Sequence, residues 1–411
     1  MRHTVAFSKV EGDDIDGAVR EAVRLSGGLE RLITASSRVL VKPNLWAAQP
    51  SGTGSTTDTR VTEAVTRLVQ EYGPRRVVIG EGCGAGYDGF SHSTEEAFRL
   101  SGLGDVAKRL GVELRNLNAD AYSEVHIPDA LVMDRVRIAK TALESDVIIS
   151  VPVLKTHIRT HATLSLKNMK GVIPGEEKRK THRLGLDQAI ADLNRVVCPH
   201  FVVLDAVMGM QGLWNYPADC MPVGLIGAGD DAPSVDIAGA ALMGIDPNLV
   251  LHLRYVAERQ GIAADIRSVH LVGEPIDAHR RVFKTGFDVF SERFPGVTVI
   301  RGESACTGCT SELVTALRYL DEAGYSPELH GLHVVIGEVE QVEPASRLAL
   351  LGKCTRNHAG LGVHAAGCPP REEEVIRVLC EACGADVVKV LDARDRARKQ
   401  LWESTRKELL S

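Results

Sequence analysis

Asp146-Val147-Ile148-Ile149-Ser150-Val151-Pro152 is the stretch from which the fold can be worked out. Its unbroken apolar run predicts a buried strand. Two further short strands are predicted at 38–41 and 76–80, and each is followed by a helical pattern, at 61–72 and 94–101. Strands that alternate with helices in this order predict an α/β fold with mostly parallel sheets flanked by helices.

Length, charge and cysteine content narrow the class of protein. The 411 residues are too many for one compact core, so two or three domains are expected. The formal net charge of -6 argues against general nucleic-acid binding, which needs a basic surface. No apolar run is long enough to span a bilayer, so a cytoplasmic protein is expected. Nine cysteines, an odd number, favour metal or redox chemistry over a disulfide framework.

Polar side chains follow the predicted strands at their carboxyl ends, where α/β sheets bind ligands. Lys42, Asn44, Asp58 and Glu81 are predicted substrate-binding residues for this reason. Asp58 has an alternative role, because Asp58 or Thr59 could instead cap the helix that follows.

The loop after residues 146–152 is rich in lysine and histidine, although the protein as a whole is acidic. Such a local reversal of charge suits an anionic ligand, for example a carboxylate or a phosphate. The predicted catalytic residues in this loop are Lys155, His157, His161 and Lys167, and Asn168 is predicted to bind substrate.

Simpler interpretations of the basic stretch remain open. His157 and His161 have the four-residue spacing of a metal site if their segment is helical, but a hydrogen-bonded histidine is the commoner outcome. For residues 178–183 taken alone, a solvated basic loop is the favoured interpretation.

Three aspartates are candidate catalytic carboxylates. Asp205 ends a predicted strand and is assigned a role in proton transfer, while Asp230 and Asp236 lie near the start of a helix of small residues. The alternative is that Asp231 or Ser234 caps this helix and Asp236 stabilises its first turn.

A domain boundary is predicted near residue 290, after a charged stretch and before the turn Pro295-Gly296. It separates a substrate-binding body, 1–290, from a small flavodoxin-like α/β module, 291–411. The elements predicted for the module are strands at 297–300, 333–336, 348–351 and 387–391 and helices at 311–322 and 372–383.

Four cysteines of this module are candidate metal ligands, and each lies near a glycine. Cys306 and Cys309 form a pair between a strand and a helix, and Cys354 and Cys368 follow downstream. Structural zinc sites usually use two close pairs, so one pair with two separated cysteines favours an iron–sulfur cluster over zinc. Cys380-Glu381-Ala382-Cys383 lies on one helical face and is interpreted as structural.

From about Val39 to Pro275 the chain resembles the domain of unknown function (DUF) 362 family. That family is distantly similar to nickel-pincer lactate racemases, which implies a two-lobed α/β body with the substrate between the lobes. No residue here can be matched to the lysine that carries the nickel-pincer cofactor. The matching motifs are Lys42-Pro43-Asn44-Leu45, Leu154-Lys155-Thr156-His157, Lys167-Asn168-Met169-Lys170-Gly171 and Met243-Gly244-Ile245-Asp246-Pro247.

The carboxyl-terminal module resembles the proximal-cluster domain of nickel-iron hydrogenase small subunits and the related subunit of respiratory complex I. The matching stretches are Cys306-Thr307-Gly308-Cys309, Gly352-Lys353-Cys354 and Gly367-Cys368-Pro369-Pro370. The resemblance implies that these four cysteines hold a [4Fe-4S] cluster. It does not imply hydrogen chemistry, because the nickel-ligating cysteine pairs of a hydrogenase are missing from the sequence.

Together the two resemblances imply an iron–sulfur oxidoreductase. The cluster would pass electrons to or from a small anionic substrate, with an external donor or acceptor such as a ferredoxin as partner and a homodimer as the expected assembly. A non-redox isomerase or lyase with a structural cluster is one alternative. An electron-donor or cluster-carrier protein is another.

Overall fold

The computed structural model describes residues 3–84, 94–212, 218–302, 305, 307–368 and 370–397. Of Arg179, Arg183, Thr307, Gly308 and Ser311 only the backbone is described. The chain divides into two units, Met1–Thr285 and Gly286–Ser411. None of the helices in the described ranges is long and apolar enough to cross a lipid bilayer.

The first unit alternates strands and helices. Its strands are β1 (Thr4–Lys9), β2 (Arg38–Pro43), β3 (Arg76–Glu81), β4 (Glu113–Asn116), β5 (Tyr122–His126), β6 (Arg135–Ala139), β7 (Val147–Val151), β8 (Val153–His157), β9 (His161–Ala162), β10 (Phe201–Met210), β11 (Cys220–Gly229) and β12 (His270–Gly273). Its helices are α1 (Ile15–Leu25), α2 (Thr59–Glu71), α3 (Thr94–Ser101), α4 (Leu103–Leu110), α5 (Lys140–Leu143), α6 (Leu164–Asn168), α7 (Gly175–Leu184), α8 (Leu186–Leu193), α9 (Ala232–Leu242), α10 (Leu251–Arg259) and α11 (Ile276–His279).

One large sheet organises this unit, in the order β12-β1-β11-β10-β7-β2-β3-β4. The strands from β10 through β7, β2 and β3 to β4 are parallel, whereas β11 is antiparallel to both β1 and β10. Strand β8 pairs with β10, and β5 and β6 form a separate antiparallel pair. The predicted α/β fold with a mostly parallel, helix-flanked sheet is therefore confirmed.

Strand β7 is buried on both faces, which explains why four of its five residues are apolar. Val147, Ile149 and Val151 pack with α1 and α2 in the core on one face of the sheet. Ile148 packs into a separate core that includes residues of α8 on the opposite face. A strand covered on both faces has no position for a solvent-facing side chain, which is the usual situation in parallel sheets.

Local signals fix the start of α2. The Asp58 side chain accepts a hydrogen bond from the Arg60 backbone N at 2.9 Å, so Asp58 is the N-cap of the helix. The capping alternative for Asp58 is thus confirmed. The predicted start at 61 was two residues late.

The segment after Pro152, expected to be a loop, is a strand, and residues 208–210 are also part of a strand. Residues 208–210 continue β10, which pairs with β11 through an irregularity between Ala206 and Met208. The segment after Pro152 forms β8 and turns back into β9, with His157 and His161 as register partners. Pairing with a distant strand, rather than local propensity, keeps both segments extended.

The second unit is a small α/β module. It contains β13 (Val297–Arg301), β14 (Leu332–Ile336), β15 (Leu348–Leu351) and β16 (Val363–Ala365), with α12 (Gly286–Arg293), α13 (Thr307–Glu322) and α14 (Glu372–Cys383). Its four strands are all parallel and adjacent in chain order.

Two predictions for this unit are wrong. Residues 387–397 are helical, so the strand predicted at 387–391 does not form. Cys309 lies in the first turn of α13 and not in a loop before it. In the described part of the module the sheet has four strands, and the apolar residues at 387–391 instead contribute Val390 to a buried helical position.

Candidate active site

The carboxyl ends of β2, β3 and β7 carry a buried network built around Lys42 and Asn168. Lys42 Nζ donates to Glu81 Oε2 at 2.8 Å and to Asn168 Oδ1 at 2.9 Å. Asn168 Nδ2 donates to the Lys42 carbonyl at 3.1 Å and to Ser150 Oγ at 3.0 Å, and Asn44 Nδ2 donates to Asn168 Oδ1 at 3.2 Å. Four of the five predicted substrate-binding residues therefore form one network.

The Glu81 carboxylate accepts hydrogen bonds from several donors. Besides Lys42, the backbone N atoms of Leu45 and Gly82 donate to it at 3.1 and 2.8 Å. Burial lowers the pKa of Lys42, and the Glu81 charge opposes that shift. Gly171 packs against the pair, because a Cβ built there would overlap Glu81 Oε1 and lie 2.6 Å from Lys42 Nζ.

Lys155, on β8, is also buried, with 1% of its surface exposed. Its Nζ donates to the Ser55 carbonyl at 2.8 Å and lies 5.6 Å from the centre of the Trp46 ring. The pKa of Lys155 is well below its ordinary value because of burial first and the charge of Lys167 second. A bound anion would raise the pKa of a lysine in this state, because a nearby opposite charge favours the protonated form.

The β8–β9 hairpin fixes the protonation state of His157. Backbone N atoms of Arg159 and Thr160 donate to His157 Nδ1 at 3.1 and 3.2 Å, so the neutral ring carries its proton on Nε2. Burial holds the pKa of His157 well below its ordinary value. His161 has φ of 58°. Because this segment is a hairpin, the helical metal site considered for the two histidines does not form.

Three further basic side chains, one of them from the turn of the hairpin, contact one another. Arg159 Nη1 lies 3.1 Å from His182 Nδ1, and Lys170 Nζ lies 3.1 Å from His182 Nε2. Arg159 is buried, and Lys170 and His182 are partly buried. The interpretation of residues 178–183 as a solvated loop is therefore wrong for Lys178 and His182, which lie on α7 and face the interior.

Two lysines have pKa values near neutrality. Burial lowers the pKa of Lys167 to about 8, with Asp187 opposing the shift. Burial also lowers the pKa of Lys178 to about 8. Lys178 Nζ donates to the carbonyls of Gly82 and Cys83 at 2.6 and 3.0 Å and to Asn118 Oδ1 at 2.8 Å, so it fixes the chain after β3.

Asp205 lies in the large sheet, and its carboxylate accepts hydrogen bonds from backbone N atoms. Its two oxygens accept from the backbone N of Asp58 at 2.7 Å and of Val207 at 3.1 Å. Burial raises the pKa of Asp205 to about 7. These contacts give Asp205 an anchoring role at the start of α2, and its predicted role in proton transfer stays a prediction.

Asp236 fixes the loop that carries Lys167 and Asn168. It accepts from the Ser165 backbone N at 2.8 Å, from Ser165 Oγ at 2.6 Å and from the Leu166 backbone N at 3.0 Å. Burial raises the pKa of Asp236 to about 6. The helix-capping alternative is confirmed for Asp231, whose carboxylate accepts from the Ser234 backbone N at 3.0 Å.

Four basic residues of the site were not singled out from the sequence as functional. Arg159 and Lys170 lie within the basic stretch that the sequence highlights, whereas Lys178 and His182 were assigned to solvent. The excess of basic residues between positions 155 and 183, in a chain that is acidic as a whole, was the sequence feature that could have indicated them. Which of these residues face the interior depends on the hairpin and α7, which local pattern does not fix.

The described candidate cysteines of the second unit follow strands of one parallel sheet. Cys309 is buried after β13, Cys354 is partly buried after β15, and Cys368 is exposed after β16. Cys306 lies outside the described residues. The carboxyl ends of parallel neighbours share one sheet edge, so the described cysteines lie on the same side of the module.

Glycines bring these loops together. Gly352 has φ of +94°, and a Cβ built there would lie 2.7 Å from Cys309 Sγ. The backbone N of Lys353 donates to the Gly367 carbonyl at 2.7 Å, which joins the neighbours of Cys354 and Cys368. His364 Nε2 lies 3.0 Å from the Gly352 carbonyl. Within the described ranges, no three histidine, cysteine or acidic side chains are grouped closely enough to hold a metal ion.

Known proteins resemble part of this chain. The Thylakoid-associated protein sll1697 of Synechocystis is 26% identical over 243 residues, which cover 58% of this chain and 72% of the relative. The solved lactate racemase apoprotein of Thermoanaerobacterium thermosaccharolyticum is 12% identical with a TM-score of 0.39. That match covers 60% of this chain and 58% of the racemase chain.

The family comparison covers the segment that carries the site. The family described as Domain of unknown function (DUF362) matches residues 39–241, which include every residue of the Lys42–Asn168 network and of the basic cluster around His182. The resemblance stated from the motifs of this region is thereby confirmed. Residues 39–241 of the chain are thus similar to the DUF362 family.

Proposed function

We propose that the protein is an iron–sulfur oxidoreductase that acts on a small anionic substrate. The observation that supports this most is the collection of buried basic side chains at the carboxyl edge of the large sheet. Lys155, His157 and Arg159 are buried there, and Lys167 is partly buried. Burial lowers the pKa values of Lys155, His157 and Lys167, and Glu81 is already paired with Lys42. An anionic substrate offsets the cost of burying these groups.

In this proposal, different residues of the first unit bind the substrate and transfer protons. Arg159 and Lys155 would hold the anionic group, and His157 would donate through Nε2 because its Nδ1 is occupied by backbone donors. Lys167, with a pKa of about 8, can gain or lose a proton near neutral pH. Water would be excluded by the surrounding buried residues, which strengthens each of these contacts.

We assign the [4Fe-4S] cluster of this proposal to the second unit. Cys309, Cys354 and Cys368 follow strands of one parallel sheet, and Gly352 lets the backbone approach Cys309 closely. Cys306 would be the fourth ligand. When bound, such a cluster supplies or accepts single electrons.

A second candidate function is a non-redox isomerase or lyase acting on the same anion. Lys167 favours it, since an amine with a pKa of about 8 is a suitable base for removing a proton beside a carboxylate. In that case the cluster would be structural.

Anaerobic purification followed by iron and sulfide assays and low-temperature EPR tests the first proposal. We expect about four irons per chain and a signal that appears on reduction. Cys354→Ser should lose iron and the signal, while Cys198→Ser, in the first unit, should keep both. One zinc and no sulfide would overturn the proposal.

Assays with a set of small carboxylates as candidate substrates distinguish the two enzyme functions. A reductase oxidises a reduced viologen dye only with its substrate present, and Cys354→Ser abolishes this. An isomerase or lyase exchanges substrate C–H for deuterium without the dye and keeps this activity in Cys354→Ser. A protein that only delivers electrons would reduce a ferredoxin, and its Lys167→Met variant would do so as well as the unaltered protein.

A further inference from the structure

Strand β13 forms one edge of the parallel sheet in the second unit, and it is exposed along its whole length. None of its five residues is buried, whereas four of the five residues of the neighbouring β14 and all four of β15 are buried. Its sequence, Val297-Thr298-Val299-Ile300-Arg301, is rich in the β-branched residues that strands prefer, and its one charge is at the last position. The apolar side chain of Ile300 is 36% exposed.

The other strands at the ends of the two main sheets are protected in ways that β13 is not. Strands β4, β12 and β16 are only three or four residues long, and β4 carries Glu113 and Arg115. Proteins commonly shorten or charge an exposed edge strand, because its unpaired N–H and C=O groups can otherwise pair with another chain. The uncharged stretch 297–300 has neither protection, which indicates that β13 pairs with a further strand.

The hydrogen bonds at the two ends of β13 show which of its residues face β14. The backbone N of Gly302 donates to the Ile336 carbonyl at 2.8 Å, and the Gly296 carbonyl accepts from the backbone N of Gly331 at 2.8 Å. Backbone groups alternate in direction along a strand, so the even-numbered residues of β13 bond to β14. The odd-numbered residues direct their N–H and C=O groups to the open edge.

Val299 is the central residue on that open edge. Its neighbour Val297 confirms the direction, because the backbone N of Val297 donates to the Phe294 carbonyl, outside the sheet, at 3.0 Å. In the part of the chain that the structure describes, β14 is the only strand that pairs with β13. The outward N–H and C=O groups of Val299 are therefore available to a strand from another molecule.

We propose that β13 pairs antiparallel with β13 of a second copy of the chain, with the two-fold axis at Val299. Each Val299 then donates its N–H to the Val299 carbonyl of the other copy, in two bonds that symmetry makes equivalent. Thr298 faces Ile300 of the other copy, which covers apolar surface that is exposed in one copy alone. The two four-stranded sheets join into one continuous sheet.

The distribution of charge on β13 favours a second copy as the occupant. With the axis at Val299, Arg301 of each copy faces Val297 of the other, and the two arginines lie at opposite ends of the pair. Like charges directly across a strand pair are destabilising, and this register places none opposite one another. Because the same edge is used by both copies, the assembly closes at two subunits.

Analytical ultracentrifugation of the full chain over a range of concentrations tests this interface. We expect the unaltered protein to sediment with the mass of two chains. Val299→Lys and Val299→Glu should each weaken the dimer at least about tenfold, because two like charges then face each other at the axis. Val388→Lys makes the same change at a valine of this unit that is 62% exposed, and it should leave the dimer unaffected.

A mixture of the two charged variants tests the position of the axis. Val299→Lys and Val299→Glu should form a mixed dimer when combined, since opposite charges then face each other. Val299→Pro should also weaken the dimer, because it removes the outward N–H but none of the bonds to β14. Circular dichroism checks that each variant is folded.

Three results would each overturn the inference. They are an unaltered chain that stays monomeric at every concentration, a dimer that Val299→Lys leaves unchanged, and charged variants whose mixture does not dimerise. None of these measurements depends on iron, so they test the interface separately from the proposed redox function.

Discussion

Lys42 Nζ and Glu81 Oε2 lie 2.8 Å apart with side chains that are 0% and 3% exposed. The two residues end neighbouring parallel strands, β2 and β3, so the sheet itself brings them together. A buried pair of this kind adds little net stability compared with apolar residues, but either partner alone is costly. The pair is therefore better explained by the site that it supports than by stability.

Lys42→Met should lower the free energy of unfolding of the first unit by about 3–5 kcal/mol, because it leaves the Glu81 charge buried without its partner. Denaturant unfolding measures this loss. The double variant Lys42→Met/Glu81→Gln should lose clearly less than the sum of the two single variants. Lys9→Met removes an exposed lysine paired with Glu11 and serves as the control, with little change expected. Additive losses would contradict the coupling.

Gly171→Ala should disrupt the Lys42–Glu81 pair, since the added methyl would overlap Glu81 Oε1 and lie 2.6 Å from Lys42 Nζ. We expect a loss of about 1–3 kcal/mol in unfolding free energy, as for other overpacked cores. Gly104→Ala, in α4, is the matched control because its nearest neighbour would be 3.8 Å away. That change should be neutral or stabilising by up to about 1 kcal/mol. Equal effects of the two substitutions would show that the close approach of residue 171 to Lys42 and Glu81 does not affect the unfolding free energy.

Asp205 should make stability depend on pH. Burial raises its pKa from 3.8 to about 7 in the folded protein, so between these values the folded state binds more protons than the unfolded state. Its contribution to stability is complete below about pH 4 and is lost as the pH rises to about 7.

The measurement compares the unaltered protein with Asp205→Asn by denaturant unfolding from pH 4 to 7. The advantage of the unaltered protein should fall by up to about 1.4 kcal/mol per pH unit. Asp277→Asn, at an exposed position, is the control substitution. A difference that rises with pH would mean that Asp205 is ionised throughout.

Lys167 should titrate near pH 8, because burial lowers its pKa to about that value. After reductive methylation with ¹³C-formaldehyde, its methyl resonance should have a midpoint near 8, assigned by its absence in Lys167→Arg. Lys9, whose pKa is raised above 10.5 by Glu11, gives the comparison within the same spectrum. A midpoint for Lys167 near that of Lys9 would remove its proposed role as a base.

Asp236 and Asp231 lie on the same helix and should differ in importance. Asp236→Ala leaves two backbone N–H groups without their buried acceptor and removes the shorter of the two hydrogen bonds of the Ser165 hydroxyl, and we expect a loss of about 3 kcal/mol or more. Asp231→Ala removes an N-cap and should cost about 1 kcal/mol. Denaturant unfolding of both variants measures the two losses. A larger loss for Asp231→Ala than for Asp236→Ala would contradict the prediction.

The sequence by itself determined the elements whose signals are local. The strand at 348–351 and the helices at 94–101 and 372–383 have the predicted bounds, because apolar period and flanking turn residues specify them. It also placed Lys42 and Glu81 at one sheet edge, since residues at the carboxyl ends of parallel strands converge whatever their separation in the chain.

Only the tertiary structure decided which polar groups are buried and what each one contacts. Asn168 reaches Lys42 across 126 positions of the chain, and Asp205 reaches Asp58 across 147. Pairing over such distances leaves no local pattern, so the sequence does not show that Asp205 accepts from the backbone N atoms of Asp58 and Val207. The same reason applies to His182, whose burial against Arg159 and Lys170 depends on how α7 packs on the β8–β9 hairpin.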